Sequence, residues 1–219
     1  MNKAGGLSFI ATGIFLLTRE AFEQFIDAVP NTEAEFIAWM PENSLWIALQ
    51  NEVLIFAAFG LLPGILALSS YSGKGTISRR IGTGMLGINI SVMAMLVIVQ
   101  GRLVYPVFGY TANDIESFKL IMAIYYGGLH LVYLIFSVGI LLITFSIRHT
   151  KFNRSIYYAG FASTIASALL AYAYLWPAYM NLLLQVPLSY WFMRSGISLF
   201  SADRNTDFDL EQSQSGIGE

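Results

Sequence analysis

Apolar and polar positions alternate along this chain in long blocks, not at every second residue. Six apolar blocks stand out, at 5–26, 44–68, 81–104, 118–147, 156–176 and 182–200. Each approaches or exceeds the ~20 residues that cross a hydrocarbon core of ~30 Å. A segment surrounded by lipid must satisfy its own backbone hydrogen bonds, so it is a helix or part of a closed barrel. Barrel strands alternate lipid-facing and lumen-facing residues with period two, and these blocks do not. The pattern predicts an all-α polytopic membrane protein, a single bundle of six transmembrane helices over residues 1–200. The polar, acidic tail at 201–219 is expected to be disordered, having few apolar groups to offset the entropy of ordering.

Composition sharpens this reading. Of 219 residues, 56% are hydrophobic and 12% charged, against about 25% charged in a soluble domain. The charges between blocks also set an orientation. Lys3, Lys74, Arg79, Arg80, Arg148, Lys151 and Arg154 fall in loops on one side. Asp27, Glu33, Glu35, Glu42, Asp114 and Glu116 fall on the other, with Lys119 the exception. Basic loops stay cytoplasmic, which places both termini inside, in a plasma membrane of bacterial type. The opening M-N-K and its apolar run imitate a secretory signal. No small-x-small cleavage site is read before the charges, so this segment is expected to be a retained first helix. The first outer loop carries an apolar block, Phe36–Met40, between Pro30 and Pro41. It is expected to lie along the headgroups as a short interfacial helix. Small residues on the third block (Gly82, Gly84, Gly87, Ser91) and the fifth (Ala159, Ala162, Ser163, Ala166, Ser167, Ala171) predict close helix packing.

Several chemistries are excluded. There is no cysteine, so no disulfide or thiolate site. Only one histidine, His130, lies within an apolar block, too few for paired haem ligation, and no lysine lies deep inside a block, where a retinal Schiff base needs one, Lys119 standing at the outer edge of its block. No Walker A, H-E-x-x-H or G-x-S-x-G motif occurs. No basic stripe points to nucleic acid, and no cofactor or metal is expected.

The informative stretch is G-I-F-L-L-T-R-E-A-F-E-Q-F-I, Gly13–Ile26. Gly5 to Thr18 spans roughly 21 Å at 1.5 Å per residue, too short to cross alone. The helix must continue through Arg19, Glu20 and Glu23, which puts charges inside the bilayer. The same ruler sets Gln50, Asn51, Glu52, Gln100, Arg102, Tyr125, Tyr126, Tyr172 and Gln185 in the same outer half, with His130 near mid-depth. Intramembrane charge is costly, so such side chains are expected to face inward. A polar cavity open to the outside is predicted, with Arg19, Glu20, Glu52, Arg102, Tyr125, Tyr126 and His130 as candidate ligand-binding residues. The arginines would hold an anionic or polar group, and Glu52 or His130 would carry a proton. The bland alternatives are snorkelling for Arg19 and a hydrogen-bonded core role for His130.

Three functional classes fit. The first binds a small molecule or lipid as a transporter, a transporter subunit with a partner membrane protein, or a sensor. The second is a membrane-embedded enzyme acting on a lipid or quinone, with His130 and a carboxylate as acid–base pair. The third is an accessory protein with a dry interior and every charge paired.

Overall fold

The computed structural model describes residues 2–70, 77–109, 114–147 and 154–215, with the backbone alone for 202–215. Of the residues behind the charge asymmetry, Lys74, Arg148 and Lys151 lie outside the described residues, as does His149. Six α-helices account for nearly all of the described chain: α1 (Asn2–Glu23), α2 (Glu33–Ser70), α3 (Ile77–Gly101), α4 (Ile115–Ile147), α5 (Arg154–Leu170) and α6 (Ala178–Ser215), with a 3-10 turn at Ala173–Leu175. Three of them, α2, α3 and α4, are long and apolar enough to cross a membrane.

Short connections make sequence neighbours pack as antiparallel pairs. Each helix lies against the next in order, and α6 closes the ring on α1. Large side chains fill the centre: Phe9, Leu54, Met93, Phe136, Trp191 and Phe192 are almost fully buried. Phe192 meets Phe9 and Phe136 edge-on, at centroid distances of 5.3 and 5.7 Å, an arrangement aromatic rings prefer.

Close approach is concentrated where side chains vanish. A Cβ on Gly6 would stand 2.6 Å from the Gly196 carbonyl oxygen, and one on Gly196 would stand 2.4 Å from that of Gly6. The α1–α6 seam therefore brings backbone against backbone, the use of small residues expected in lipid. Gly82 and Gly139 form a similar contact between α3 and α4. The expected small-residue face of the third helix is only partly used: Gly84 and Gly87 face open space. On α5, Ala159, Ser163, Ala166 and Ser167 are buried, while Ala162 is exposed. Asn89 ties α3 to α4 by donating to the Val132 carbonyl at 3.0 Å.

Several boundaries differ from the pattern-based expectation. Phe36–Met40 is helical but is not a separate surface helix: it forms the first turns of α2, which runs through Pro41. Phe36 and Trp39 are buried against Phe118 of α4, at centroid distances of 5.2 and 5.4 Å. Burial of two large aromatics outweighs the proline, which leaves only one carbonyl without its partner. The α-helical part of the fifth block stops at Leu170, and the chain reaches Trp176 through the 3-10 turn. The α6 backbone stays helical to Ser215, well past Phe200.

Candidate functional site

The end of the bundle where α1 finishes and α2 and α4 begin carries Asp27, Glu33, Asp114 and Glu116, and is here termed the acidic end. Just inside it lies a buried polar cluster built from five helices. Arg19 and Glu20, consecutive on α1, are 4% and 3% exposed. The Arg19 guanidinium pairs with the Glu20 carboxylate, donates to the Tyr125 hydroxyl at 3.2 Å, and lies 5.7 Å from that ring's centroid. The Tyr133 hydroxyl donates to Glu20 Oε1 at 2.9 Å and lies 3.2 Å from Gln185 Oε1. This charge pair is thus neutralised internally, and the Tyr125 and Tyr133 hydroxyls add hydrogen bonds that help to offset the burial of ions.

Glu23 stands one turn further out on α1. It accepts from the Tyr126 hydroxyl at 3.2 Å and from the Gln50 amide. Gln50 also donates to the Arg19 carbonyl, at 3.4 Å, and accepts from Gln100 at 3.2 Å. A chain of side chains from α4, α1, α2 and α3 therefore crosses the bundle at one level.

Above this level is a cavity of about 470 Å³, open at the acidic end. Glu23, Gln50, Gln100 and Tyr126 form its floor, and Ile26, Trp39, Ile47, Phe118, Met122 and Ala123 its apolar walls. Asp27, Asn31 and Lys119 stand at the mouth. Its size and mixed lining are typical of a small-molecule site. The mouth is braced by hydrogen bonds. Asn43 accepts from the Asp27 amide at 2.9 Å, the Trp39 indole donates to the Asp27 carbonyl at 3.2 Å, and Glu33 accepts from the Ile115 amide at 3.0 Å.

The residues expected from sequence divide sharply. Arg19, Glu20 and Tyr125 come together, but behind the cavity floor. Tyr126 reaches the cavity itself. Glu52 does not: expected to face inward as a buried, paired or protonated carboxyl, it is exposed and accepts from the Tyr105 hydroxyl at 2.8 Å. The reason is angular. Two residues along a helix turn a side chain about 200° away, so Glu52 faces outward where Gln50 faces inward. Arg102 is half-buried and its Nε has no hydrogen-bond partner among the described residues; it does not line the cavity. His130 sits 2.8 Å from the Ala171 carbonyl through Nδ1 and packs edge-on to Tyr172 at 5.0 Å. It thereby satisfies a carbonyl just past the end of α5. No hydrogen bond joins it to Glu20 or Glu52 among the described residues.

Arg19 is engaged by Glu20 and Tyr125 and is not among the cavity-lining residues. Glu23 was visible in the sequence as the i+4 neighbour of Arg19, but its place at the floor was not. Tyr133 and the walls Trp39, Phe118 and Met122 carried no signal beyond being apolar or aromatic. No group of three or more His, Asp or Glu side chains suited to a metal occurs among the described residues. Comparison of the chain with protein-family models, characterised proteins and solved structures returned no match.

Proposed function

We propose that the chain is a six-span membrane protein that binds a small amphipathic molecule or lipid in the cavity at the acidic end. It would act as a transporter, a subunit of one, or a sensor, in a plasma membrane of bacterial type. The observation that carries this reading is the cavity itself, with apolar walls and a polar floor tied across four helices. An accessory protein with a sealed interior would have no use for it. An enzyme built on His130 would need a carboxylate partner that this histidine lacks among the described residues.

The spans would be α1 to α6 with both termini cytoplasmic. The starts of α3 and α5 carry Arg79, Arg80 and Arg154, and the starts of α2 and α4 carry Glu33, Glu35, Asp114 and Glu116. By the bias of cytoplasmic loops toward lysine and arginine, the cavity opens to the outside.

Two experiments test this. The chain has no cysteine, so single cysteines replacing Asn31 and Arg80 report topology cleanly. A membrane-impermeant maleimide should label position 31 in intact cells and position 80 only after permeabilisation; the reverse pattern refutes the orientation. For binding, the protein is purified into nanodiscs and extracted for co-purifying small molecules by mass spectrometry. Met122→Trp should fill the cavity and remove whatever the native chain retains. An identical set of molecules from a folded Met122→Trp variant would argue that the cavity holds no ligand.

A further inference from the structure

The hydrogen-bond orientations at the cavity floor say what kind of head group it accepts. The inference deepens the binding reading above and rests on it. The Arg19 carbonyl and the Glu23 carboxylate can only accept, so the Gln50 amide nitrogen must face them. Gln50 thereby spends both amide hydrogens and turns its Oε1 toward Gln100. The Gln100 amide nitrogen must donate to that oxygen, at 3.2 Å. Gln100 Oε1 is then left with no hydrogen-bond partner among the described residues, although the residue is only 1% exposed. The Tyr126 hydroxyl hydrogen is spent on Glu23. What remains available is chiefly an acceptor surface, Gln100 Oε1 and the unused lone pairs of Glu23, beside one amide hydrogen of Gln100.

Charge points the same way. Arg19 pairs with Glu20, and among the described residues no salt bridge reaches Glu23. One guanidinium beside two carboxylates leaves one negative charge, and it faces the cavity. At the mouth, Lys119 lies 3.6 Å from Glu116 and is half-exposed, so its charge is partly engaged there. The walls, Trp39, Ile47, Phe118 and Met122, offer apolar surface and no ring of oxygens for an inorganic ion.

We propose that the cavity binds amphiphiles headed by a primary ammonium, which donates to Glu23 and Gln100 while an apolar body lies between Trp39, Phe118 and Met122. A free alkylamine and the ethanolamine head of a membrane lipid share this chemistry.

The test uses the full chain in phosphatidylcholine nanodiscs, with n-octylamine and n-octanol as probes and ligand-induced stabilisation against unfolding as readout. Octylamine should bind about tenfold or more tightly than octanol, since a charge-assisted hydrogen bond is roughly twice as strong as a neutral one. Glu23→Gln should weaken octylamine about tenfold or more and leave octanol unchanged. Gln100→Met keeps the side-chain volume, removes the orphan acceptor together with the amide that donates to Gln50, and should cost octylamine several-fold while leaving octanol unchanged; it serves if Glu23→Gln does not fold. Adding phosphatidylethanolamine to the discs separates the sources. Competition with octylamine assigns the site to the lipid head, and no competition assigns it to free amines. Equal affinity for octanol and octylamine, with both lost in Met122→Trp, overturns the ammonium assignment and leaves the binding site standing. If neither probe binds the native chain, both fall.

Discussion

The two ends of the α1–α6 seam behave as different materials. Toward the basic end, where α3 and α5 start, Gly6 and Gly196 let two backbones touch, and Phe9, Phe136, Trp191 and Phe192 fill the space beside them. Toward the acidic end the same helix α1 carries Arg19, Glu20 and Glu23, bulky groups that need hydrogen-bond partners. Roughly 15 Å of rise separates Phe9 from Arg19. Below, stability comes from close packing, the main source of helix association in lipid. Above, it comes from saturating polar groups, and the space left over that cannot be saturated is a cavity. One helix thus packs backbone against backbone at one end and lines a cavity at the other.

The contrast can be broken most severely at the upper end. Arg19→Met leaves Glu20 as an unpaired buried charge and should cost about 3–5 kcal/mol, whereas Arg19→Met with Glu20→Met together should recover most of that loss. Unfolding of both variants and of the native chain in detergent measures it. A double variant as unstable as the single one would mean that the pair is needed for more than mutual neutralisation. The lower end is tested by matched glycine changes. Gly6→Ala drives a methyl group toward the Gly196 carbonyl and should destabilise by about 1–3 kcal/mol. Gly84→Ala meets open space and should stabilise by up to about 1 kcal/mol through helix propensity. Equal effects at the two sites would refute the backbone contact.

The start of α4 at the acidic end gives a smaller, pH-dependent signal. Asp114 caps α4, its carboxylate accepting from the Ser117 amide at 2.8 Å and hydroxyl at 2.7 Å. These bonds hold its carboxyl below the ordinary aspartate range. A depressed folded-state value means the stabilisation is complete above the unfolded-state value and is lost as pH falls through the folded one. Amide exchange in the first turn of α4, corrected for intrinsic rates, should therefore quicken as pH drops from about 5 to about 3 (either side of the ordinary aspartate value). Asp114→Asn should flatten that dependence. Smallest of all is Glu52→Gln. An exposed residue away from the cluster should change stability by no more than about 0.5 kcal/mol. Partial burial, then the hydrogen bond and charge of Glu52, push the Tyr105 hydroxyl up to about 12. Spectrophotometric titration should find it lower in Glu52→Gln, and an unchanged titration would mean that the two side chains do not meet.

Apolar block length determined the all-helical class, and the positions of the six helices were legible to within a few residues except at the start of α2 and the ends of α5 and α6. Blocks report these because a lipid-facing backbone has so few ways to satisfy itself. The level of the polar cluster was also legible, since rise per residue converts position into depth. Which side chains share a chamber was not. Glu52 and Gln50 sit at nearly the same height and face opposite ways. Gln100 and Gln50 lie far apart in sequence and meet only because α2 packs on α3. Arg19 was recognisable as a buried charge, but its commitment to Glu20, and so the exposure of Glu23 to the cavity, followed from where Tyr125 and Tyr133 project from α4. Depth is a property of one helix and can be counted along it. Facing depends on the rotation of each helix against its neighbours, which only the assembled packing fixes.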